Sequence, residues 1–461
     1  MASTSAAAAS GSSGKLSSRH ELLIGCVGKP SAGKSSFLNA ATEANAKVGN
    51  YPFTTIEPNT GVTFYQTECP CKRYDLCALC KPRYGRCLNG TRFIPVKMLD
   101  VAGLVPGASE GKGLGNKFLD DLRHADVLLH IIDVSGTTNE KGEETTGYNP
   151  INDIEWLNEE IHAWIFNNLW KKWDGLVRRQ ALTKQPVAQV LQSQLSGYGT
   201  RPWQVARVLD LHNVKEPCEM DKWDEKMVRD LIKTFVEIRF PTIYVLNKID
   251  HKAADANIAK ISEKYGEEHV VPASALSECF LKKMAKTGYI QYEQGDEDFK
   301  TLEDLEEESD EEDGNAKPKP QLKSLDKDPK LKRQLEKIRD LVLFRYGGTG
   351  VTAAIKKAVE MKGFQPAYPV RNIRKFTCDR SNHVFRDCIL LPPHATVRDF
   401  IHLIDQNMEK HLAYAEGVSG QRLGEDEVIT PENNIIKFVM VAAKEQAAAN
   451  GGGTTSGEKK G

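Results

Sequence analysis

Gly28-Lys29-Pro30-Ser31-Ala32-Gly33-Lys34-Ser35 is a complete GxxxxGK[ST] run. It follows the apolar stretch Leu22-Leu23-Ile24-Gly25-Cys26-Val27 and precedes Ser36-Phe37-Leu38-Asn39-Ala40-Ala41, which reads as helix. Strand, glycine loop and helix in that order form a phosphate-binding loop. The glycines let successive backbone N–H groups turn inward, and the loop ends on the positive pole of a helix. Lys34 is expected to reach the β- and γ-phosphates, and Ser35 to place its hydroxyl on Mg²⁺. The run, with Ser36, is expected to enclose a nucleoside triphosphate.

Outward from this loop, residues 20–135 alternate apolar strand-like runs with helical runs and glycine loops, as a parallel α/β sheet does. Strands are expected at 22–27, 61–65, 96–100 and 127–133. The period then changes. Ile154, Leu157, Ile161, Ile165 and Leu169 recur at helical spacing, which predicts an amphipathic helix capped by Asn152 or Asp153. A second helix is expected after Pro186, with Val187, Val190, Leu191 and Leu195 on one face. A third is expected from Asp221 to Arg239, with Met227, Leu231, Phe235 and Ile238 as its stripe. Trp164 and its tryptophan neighbours are assigned to helix packing. Lys171, Lys172, Arg178 and Arg179 form a basic patch of low specificity.

Strand patterns return at 241–246 and 270–274, and helices are expected at 327–344 and 351–361. After Gly363, strands at 367–370, 387–391 and 435–440 surround a helix at 397–410. These readings divide the chain into a disordered N-terminus (1–17), a nucleotide domain in two parts (18–135 and 236–362), a helical insertion (136–235), a C-terminal domain (364–443) and a disordered tail (444–461). Within the insertion, 136–149 reads as a polar linker. Between Glu293 and Asp313 there are thirteen acidic residues and one basic residue, Lys300. Such a run repels itself and is expected to be a disordered loop, 293–325. The fold class is therefore an α/β P-loop NTPase, with a mostly parallel doubly wound sheet and an inserted α-helical domain.

The 461 residues carry 62 Lys and Arg against 63 Asp and Glu, so no global charge favours nucleic acid. No apolar run approaches the roughly 20 residues that a membrane span needs. The N-terminal residues lack a signal core, and a cytoplasmic protein is expected, acting as a monomer. Five of the ten cysteines, Cys69, Cys71, Cys77, Cys80 and Cys87, fall in one stretch, the hairpin 66–92. That distribution fits a reducing compartment and a metal-type cluster. CxC followed by CxxC supplies enough thiolates for tetrahedral Zn²⁺, the alternative being reduced, unligated thiols. Lys72, Arg73, Lys81, Arg83, Arg86 and Arg92 flank the cluster, as an RNA-touching basic knob or as a solvated face.

Three further motifs narrow the nucleotide. Asp100-Val101-Ala102-Gly103 ends a strand with a carboxylate suited to Mg²⁺ through water, and Gly103 N–H can sense the γ-phosphate. Asn247-Lys248-Ile249-Asp250 follows a strand. Its Asp250 can accept from N1–H and the N2 amine of guanine, a pair that adenine does not offer. Asn247 is expected to brace the neighbouring loop, with the Lys248 stem over the base. Ser274-Ala275-Leu276 would aim backbone N–H groups at guanine O6.

Asn50-Tyr51-Pro52-Phe53-Thr54-Thr55-Ile56-Glu57-Pro58-Asn59-Thr60-Gly61 resembles switch I of the Obg-like GTPases, and 100–108 resembles their glycine-rich switch II. Residues 111–119 resemble the YchF-related branch, in particular its archaeal and fungal relatives. The resemblance implies that Thr55 closes on Mg²⁺ and the γ-phosphate, with Thr54 as the alternative. Residues 390–400 and 420–426 resemble a TGS domain, a small β-grasp module, which implies RNA or ribosome contact. His383, His394 and His402 there have no nucleophile partner and read as surface histidines.

Two departures stand out. YchF proteins closest to the Obg-like ATPases carry another acidic residue where this chain has Asp250, and potassium-assisted relatives have Asn where this chain has Ser31. Ras-like GTPases place a glutamine after the switch II glycine to orient water. Here that place holds Leu104, so slow intrinsic hydrolysis is expected, with Glu110, Lys112 and Asn116 as polar neighbours. The activity expected is a Mg²⁺-dependent GTP-to-GDP switch contacting ribosome or RNA. The alternatives are a non-hydrolysing nucleotide-gated module or an ATPase.

Overall fold

The computed structural model describes residues 21–42, 59–101, 115–311, 322–378 and 382–441. Internal contacts separate two units: 22–77 with 83–363, and the C-terminal residues from 364 with the short stretch 78–82.

The first unit opens with β1 (Leu23–Val27), α1 (Lys34–Ala41), β2 (Thr60–Glu68), α2 (Pro70–Arg73), β3 (Arg86–Leu88), β4 (Thr91–Asp100), α3 (Gly115–Leu122) and β5 (Val127–Asp133). Five helices follow: α4 (Ile151–Trp170), α5 (Trp173–Thr183), α6 (Val187–Leu195), α7 (Pro202–Leu211) and α8 (Glu225–Arg239). The unit closes with β6 (Thr242–Asn247), α9 (Ala254–Tyr265), β7 (Val270–Ala273), α10 (Ala275–Thr287), α11 (Leu302–Glu311), α12 (Pro329–Ile338), α13 (Phe344–Tyr346) and α14 (Val351–Met361).

The sheet order is β2-β4-β1-β5-β6-β7, with β3 also on β4. Pairing is parallel from β4 through β7 and antiparallel at β2 and β3, so the sheet is mixed. All seven residues of β5 are buried. A nearly continuous apolar run is what a parallel strand covered on both faces requires. β2 and β4 run beyond the expected 61–65 and 96–100, paired from Thr60↔Leu99 to Glu68↔Thr91. The added residues include Gln66, Thr67 and Glu68 of β2 and Thr91, Arg92 and Pro95 of β4, which weaken the strand signal.

Helices α4 to α8 do not pack by themselves. Leu157, Ile161, Ile165 and Phe235 share one buried cluster with Val27, Phe118, Leu122 and Leu128 of the sheet side. Truncating Phe235 to Ala would open a cavity there, at a cost of about 3–5 kcal/mol. Trp170, Trp173 and Trp223 stack in series, with centroids 5.8 and 6.0 Å apart. Helices α5 and α7 were not anticipated. The expected face of α6 is buried at all four positions, Val187, Val190, Leu191 and Leu195.

Three local expectations are corrected. Helix α4 starts at Ile151 with no side-chain cap, because Asp153 is buried and paired elsewhere. Residues 136–149 are not a free linker, since Thr138 is buried, bridges Glu144 and accepts from Lys29. The acidic run contains helix α11. Thr301 and Asp304 exchange hydrogen bonds at its start, and acidic groups in a first turn oppose the helix dipole favourably. Arg339 pairs with Asp298 and Asp304, and Lys332 with Glu303, which relieves the self-repulsion.

The second unit comprises β8 (Gln365–Pro369), β9 (Ile389–Leu391), α15 (Val397–Ile404), α16 (Gln406–Glu409), β10 (Leu412–Glu416), β11 (Arg422–Leu423) and β12 (Ile435–Met440). Its sheet order is β11-β10-β12-β8-β9, and the β12–β8 pair is parallel. Leu391, Val397, Phe400 and Ile436 form its core. The helix expected over 397–410 is divided at Asp405, whose carboxylate accepts from Asn407 N and caps α16. His402 is not free on the surface but pairs with Glu409 at 2.6 Å. Among the described residues no helix is long and apolar enough to cross a membrane.

Candidate nucleotide site

The loop between β1 and α1 takes the backbone form that a phosphate cradle needs. Ser31 and Gly33 both have positive φ, 62° and 91°. A Cβ at position 33 would lie 2.3 Å from Asn247 Nδ2, so conformation and space both demand glycine there. Gly33 O accepts from Phe37 N at 2.8 Å, which starts α1 with its free N–H groups at the loop.

Asn247, at the end of β6, joins the phosphate loop to the start of α10. Its Nδ2 donates to Ala32 O at 2.9 Å, and its Oδ1 accepts from Ala275 N at 3.1 Å. Ser274 caps α10 and also donates to Asp250 Oδ1 at 2.9 Å. One side chain thus fixes the loop, and one hydroxyl orients the carboxylate. Ala275 is buried, whereas Leu276 is 69% exposed beside them.

Lys34 Nζ lies 2.8 Å from Asp100 Oδ1 at the end of β4 and donates to Val101 O. Ser35 follows it on α1. A serine hydroxyl and a carboxylate are hard oxygen donors, and Mg²⁺ takes such ligands. The residues present therefore fit a Mg–nucleotide. Thr54, Thr55, Gly103, Leu104, Glu110 and Lys112 lie outside the described residues.

Two participants were not evident from the sequence. Asp133, at the end of β5, is buried and accepts from Lys248 Nζ and Thr138 Oγ1, both at 2.7 Å, and from Ser135 Oγ. Burial opposes its ionisation, but these hydrogen bonds outweigh it and hold the carboxyl below its ordinary range. Lys248 itself has positive φ, 70°. A strand-ending Asp followed two residues later by Ser was the available signal.

The second is Asp153. Lys29 belongs to the run expected to enclose the nucleotide, and its side chain is fully buried against Asp153 Oδ2 at 2.9 Å. It also donates to Thr138 O at 2.8 Å and lies 4.3 Å above the Tyr148 ring. Tyr148 donates to the other Asp153 oxygen at 2.8 Å. Burial pushes the Asp153 carboxyl up, only partly offset by Lys29. What Lys29 leaves for a phosphate is its backbone N–H.

The cysteine hairpin is a separate feature. Sγ atoms of Cys69, Cys71, Cys80 and Cys87 lie within 4.8 Å of one another. Cys77 is exposed, although its sulfur is 3.7 Å from that of Cys71. Two of the flanking basic residues are not part of an open basic face. Arg92 is buried, and Arg86 lies over Phe93 and pairs with Glu293 at 3.3 Å.

Two family models match the chain: an Obg-like GTPase YGR210-like, G4 motif-containing domain over residues 245–372, and a 50S ribosome-binding GTPase over residues 23–167. A GTP-binding protein of Schizosaccharomyces pombe is 47% identical over 91% of this chain and 98% of its own length. A GTP-binding protein of Methanocaldococcus jannaschii is 37% identical over 91% of this chain and 99% of its own. The crystal structure of a GTP binding protein from Pyrococcus horikoshii OT3 aligns with TM-score 0.67 at 29% identity, covering 91% of this chain and all of that one.

Proposed function

Because this chain belongs to the Obg-like, YchF-related family of P-loop GTPases, we propose that it binds GTP with Mg²⁺ and hydrolyses it to GDP and phosphate. The observation that carries the guanine reading is the Ser274–Asp250 hydrogen bond beside Asn247. A carboxylate oriented in this way would accept from the two donors that guanine presents, and an unmatched base would leave it under-bonded.

Gly28 to Ser36 would hold the phosphates through backbone N–H groups, with the Lys34 charge among them. Ser35, Asp100 and Thr55 would hold Mg²⁺, which when bound neutralises charge on the β- and γ-oxygens. Lys248 and the stretch Ser274-Ala275-Leu276 would border the base. Catalysis in such a site is positioning and charge stabilisation rather than covalent chemistry. Thr55 and Gly103 would follow the γ-phosphate and release after hydrolysis, which makes the protein a switch.

The readout would be a ribosome or RNA. The ribosome-binding description of the matched model over 23–167 supports this, as does the resemblance of 364–443 to a TGS domain. We place the activity in the cytoplasm, with one chain acting alone. The helical segment 136–235 would be an insertion between the two parts of the nucleotide domain, 18–135 and 236–362.

Phosphate release at saturating GTP and Mg²⁺, with and without ribosomes, tests the reading. A slow rate that ribosomes raise is expected. Leu104 favours one second reading, a nucleotide-gated module without turnover, for which bound GTP would persist in both conditions. Tighter binding of ATP than GTP would overturn the guanine assignment.

A further inference from the structure

We propose that Cys69, Cys71, Cys80 and Cys87 bind one Zn²⁺ as a structural tetrathiolate site that holds the hairpin between β2 and β4 together. The argument begins with what is buried there. Between positions 69 and 89, the buried residues are Cys69, Cys71 and Cys80. Leu79 and Leu88 are exposed. An excursion of this size whose fully buried side chains are cysteines gains little from apolar burial, and a metal is one of the few staples available.

The thiol geometry suits a tetrahedral ion. With Zn–S near 2.3 Å, ligand sulfurs stand about 3.8 Å apart. The Cys71 and Cys87 sulfurs are 3.6 Å apart, and all four fall within 4.8 Å. A disulfide would need about 2.05 Å, and among the described residues none of the ten cysteines forms one.

Local backbone fixes each ligand. Cys69 N donates to Gly90 O at 2.8 Å, and Pro70 begins the short α2 that turns Cys71 inward. Asn89 and Gly90 have φ of 47° and 82°, the two-residue turn that tightly joins β3 to β4 and sets Cys87 opposite Arg92. Cys80 is buried, and its Sγ lies within 4.8 Å of the other three. Four thiolates around Zn²⁺ leave two net negative charges. The exposed Lys72, Arg73, Lys81 and Arg83 in the same segment offset them.

This proposal stands apart from the nucleotide reading, because metal content can be measured on protein free of nucleotide. The full-length chain, purified under reducing conditions without chelator, is analysed by plasma mass spectrometry. One zinc per chain is expected in the native protein and in Cys77→Ser, with loss in Cys71→Ser and Cys87→Ser. No zinc, iron in its place, or equal loss in Cys77→Ser would overturn the assignment. Should the ligand variants not fold, native protein stripped by chelator and reloaded with Co²⁺ decides instead. Thiolate-to-cobalt charge-transfer bands with intense tetrahedral d–d absorption are expected, and a weak octahedral spectrum would refute the site.

Discussion

Lys29, inside the phosphate-binding loop, forms a fully buried ion pair with Asp153 in the first turn of α4, Nζ to Oδ2 at 2.9 Å. The residue that could have added a charge to the nucleotide instead ties the loop to the helices that follow β5. Removing either partner strands a buried charge, which costs about 3–5 kcal/mol. Lys29→Met is therefore expected to lower the urea midpoint strongly and to weaken GTP binding through a loosened loop. The double variant Lys29→Met/Asp153→Leu should recover much of the stability, because neither charge remains. If the double variant is no more stable than Lys29→Met, the pair is not the source of the loss.

Asp250 accepts from Ser274 and is expected to accept from two guanine donors. Asp250→Asn replaces an acceptor by a donor opposite those donors. Hydrogen bonds to a charged group contribute about 1.5–3 kcal/mol each, so affinity for GTP should fall by about 100-fold or more. Xanthosine triphosphate, which presents a carbonyl where guanine has its amine, should bind the variant better than GTP. Competition against a fluorescent nucleotide measures both, and unchanged GTP affinity would remove Asp250 from the base site.

His130 lies at the centre of β5 with both ring nitrogens unbonded among the described residues, 6.2 Å from the Tyr244 ring centroid. Burial, helped by the nearby Lys29 charge, lowers its pKa from 6.5 to about 3. The unfolded chain takes up a proton near pH 6.5 and the folded chain does not, so stability is complete above that pH and falls as pH drops towards 3. At pH 5 the loss is about 2 kcal/mol. His130→Leu should flatten the dependence of the urea midpoint between pH 7.5 and 5. An equally steep curve in the variant would assign the acid sensitivity elsewhere.

The parts of this protein that were legible in the sequence are those where one local pattern decides the structure. Gly33 before Lys34, the buried run of β5, and the stripe Val187, Val190, Leu191 and Leu195 each follow from local rules. What was hidden depends on partners distant in sequence. The place of Lys29 in the phosphate loop is plain from local sequence, but its side-chain partner Asp153 is more than a hundred residues away. Helix α11 looked like a self-repelling coil because Arg339 and Lys332 were not counted against its carboxylates. Asp133 stands outside the nucleotide motifs, with only a strand end and a nearby serine to mark it, yet it holds Lys248, which belongs to one.

Leu104 follows Gly103, the glycine proposed to sense the γ-phosphate, and in the proposed reaction a side-chain amide at that place would orient the attacking water. The leucine side chain has neither donor nor acceptor, so in the proposed hydrolysis another group or a bound partner would position the water. Leu104→Gln supplies the missing amide directly. Intrinsic phosphate release at saturating GTP and Mg²⁺, without ribosomes, is expected to rise by about tenfold or more, which corresponds to about 1.4 kcal/mol removed from the barrier. GTP affinity should stay the same, because the amide acts on water rather than on the bound nucleotide. A rate equal to that of the native chain would show that water orientation at this position does not limit turnover.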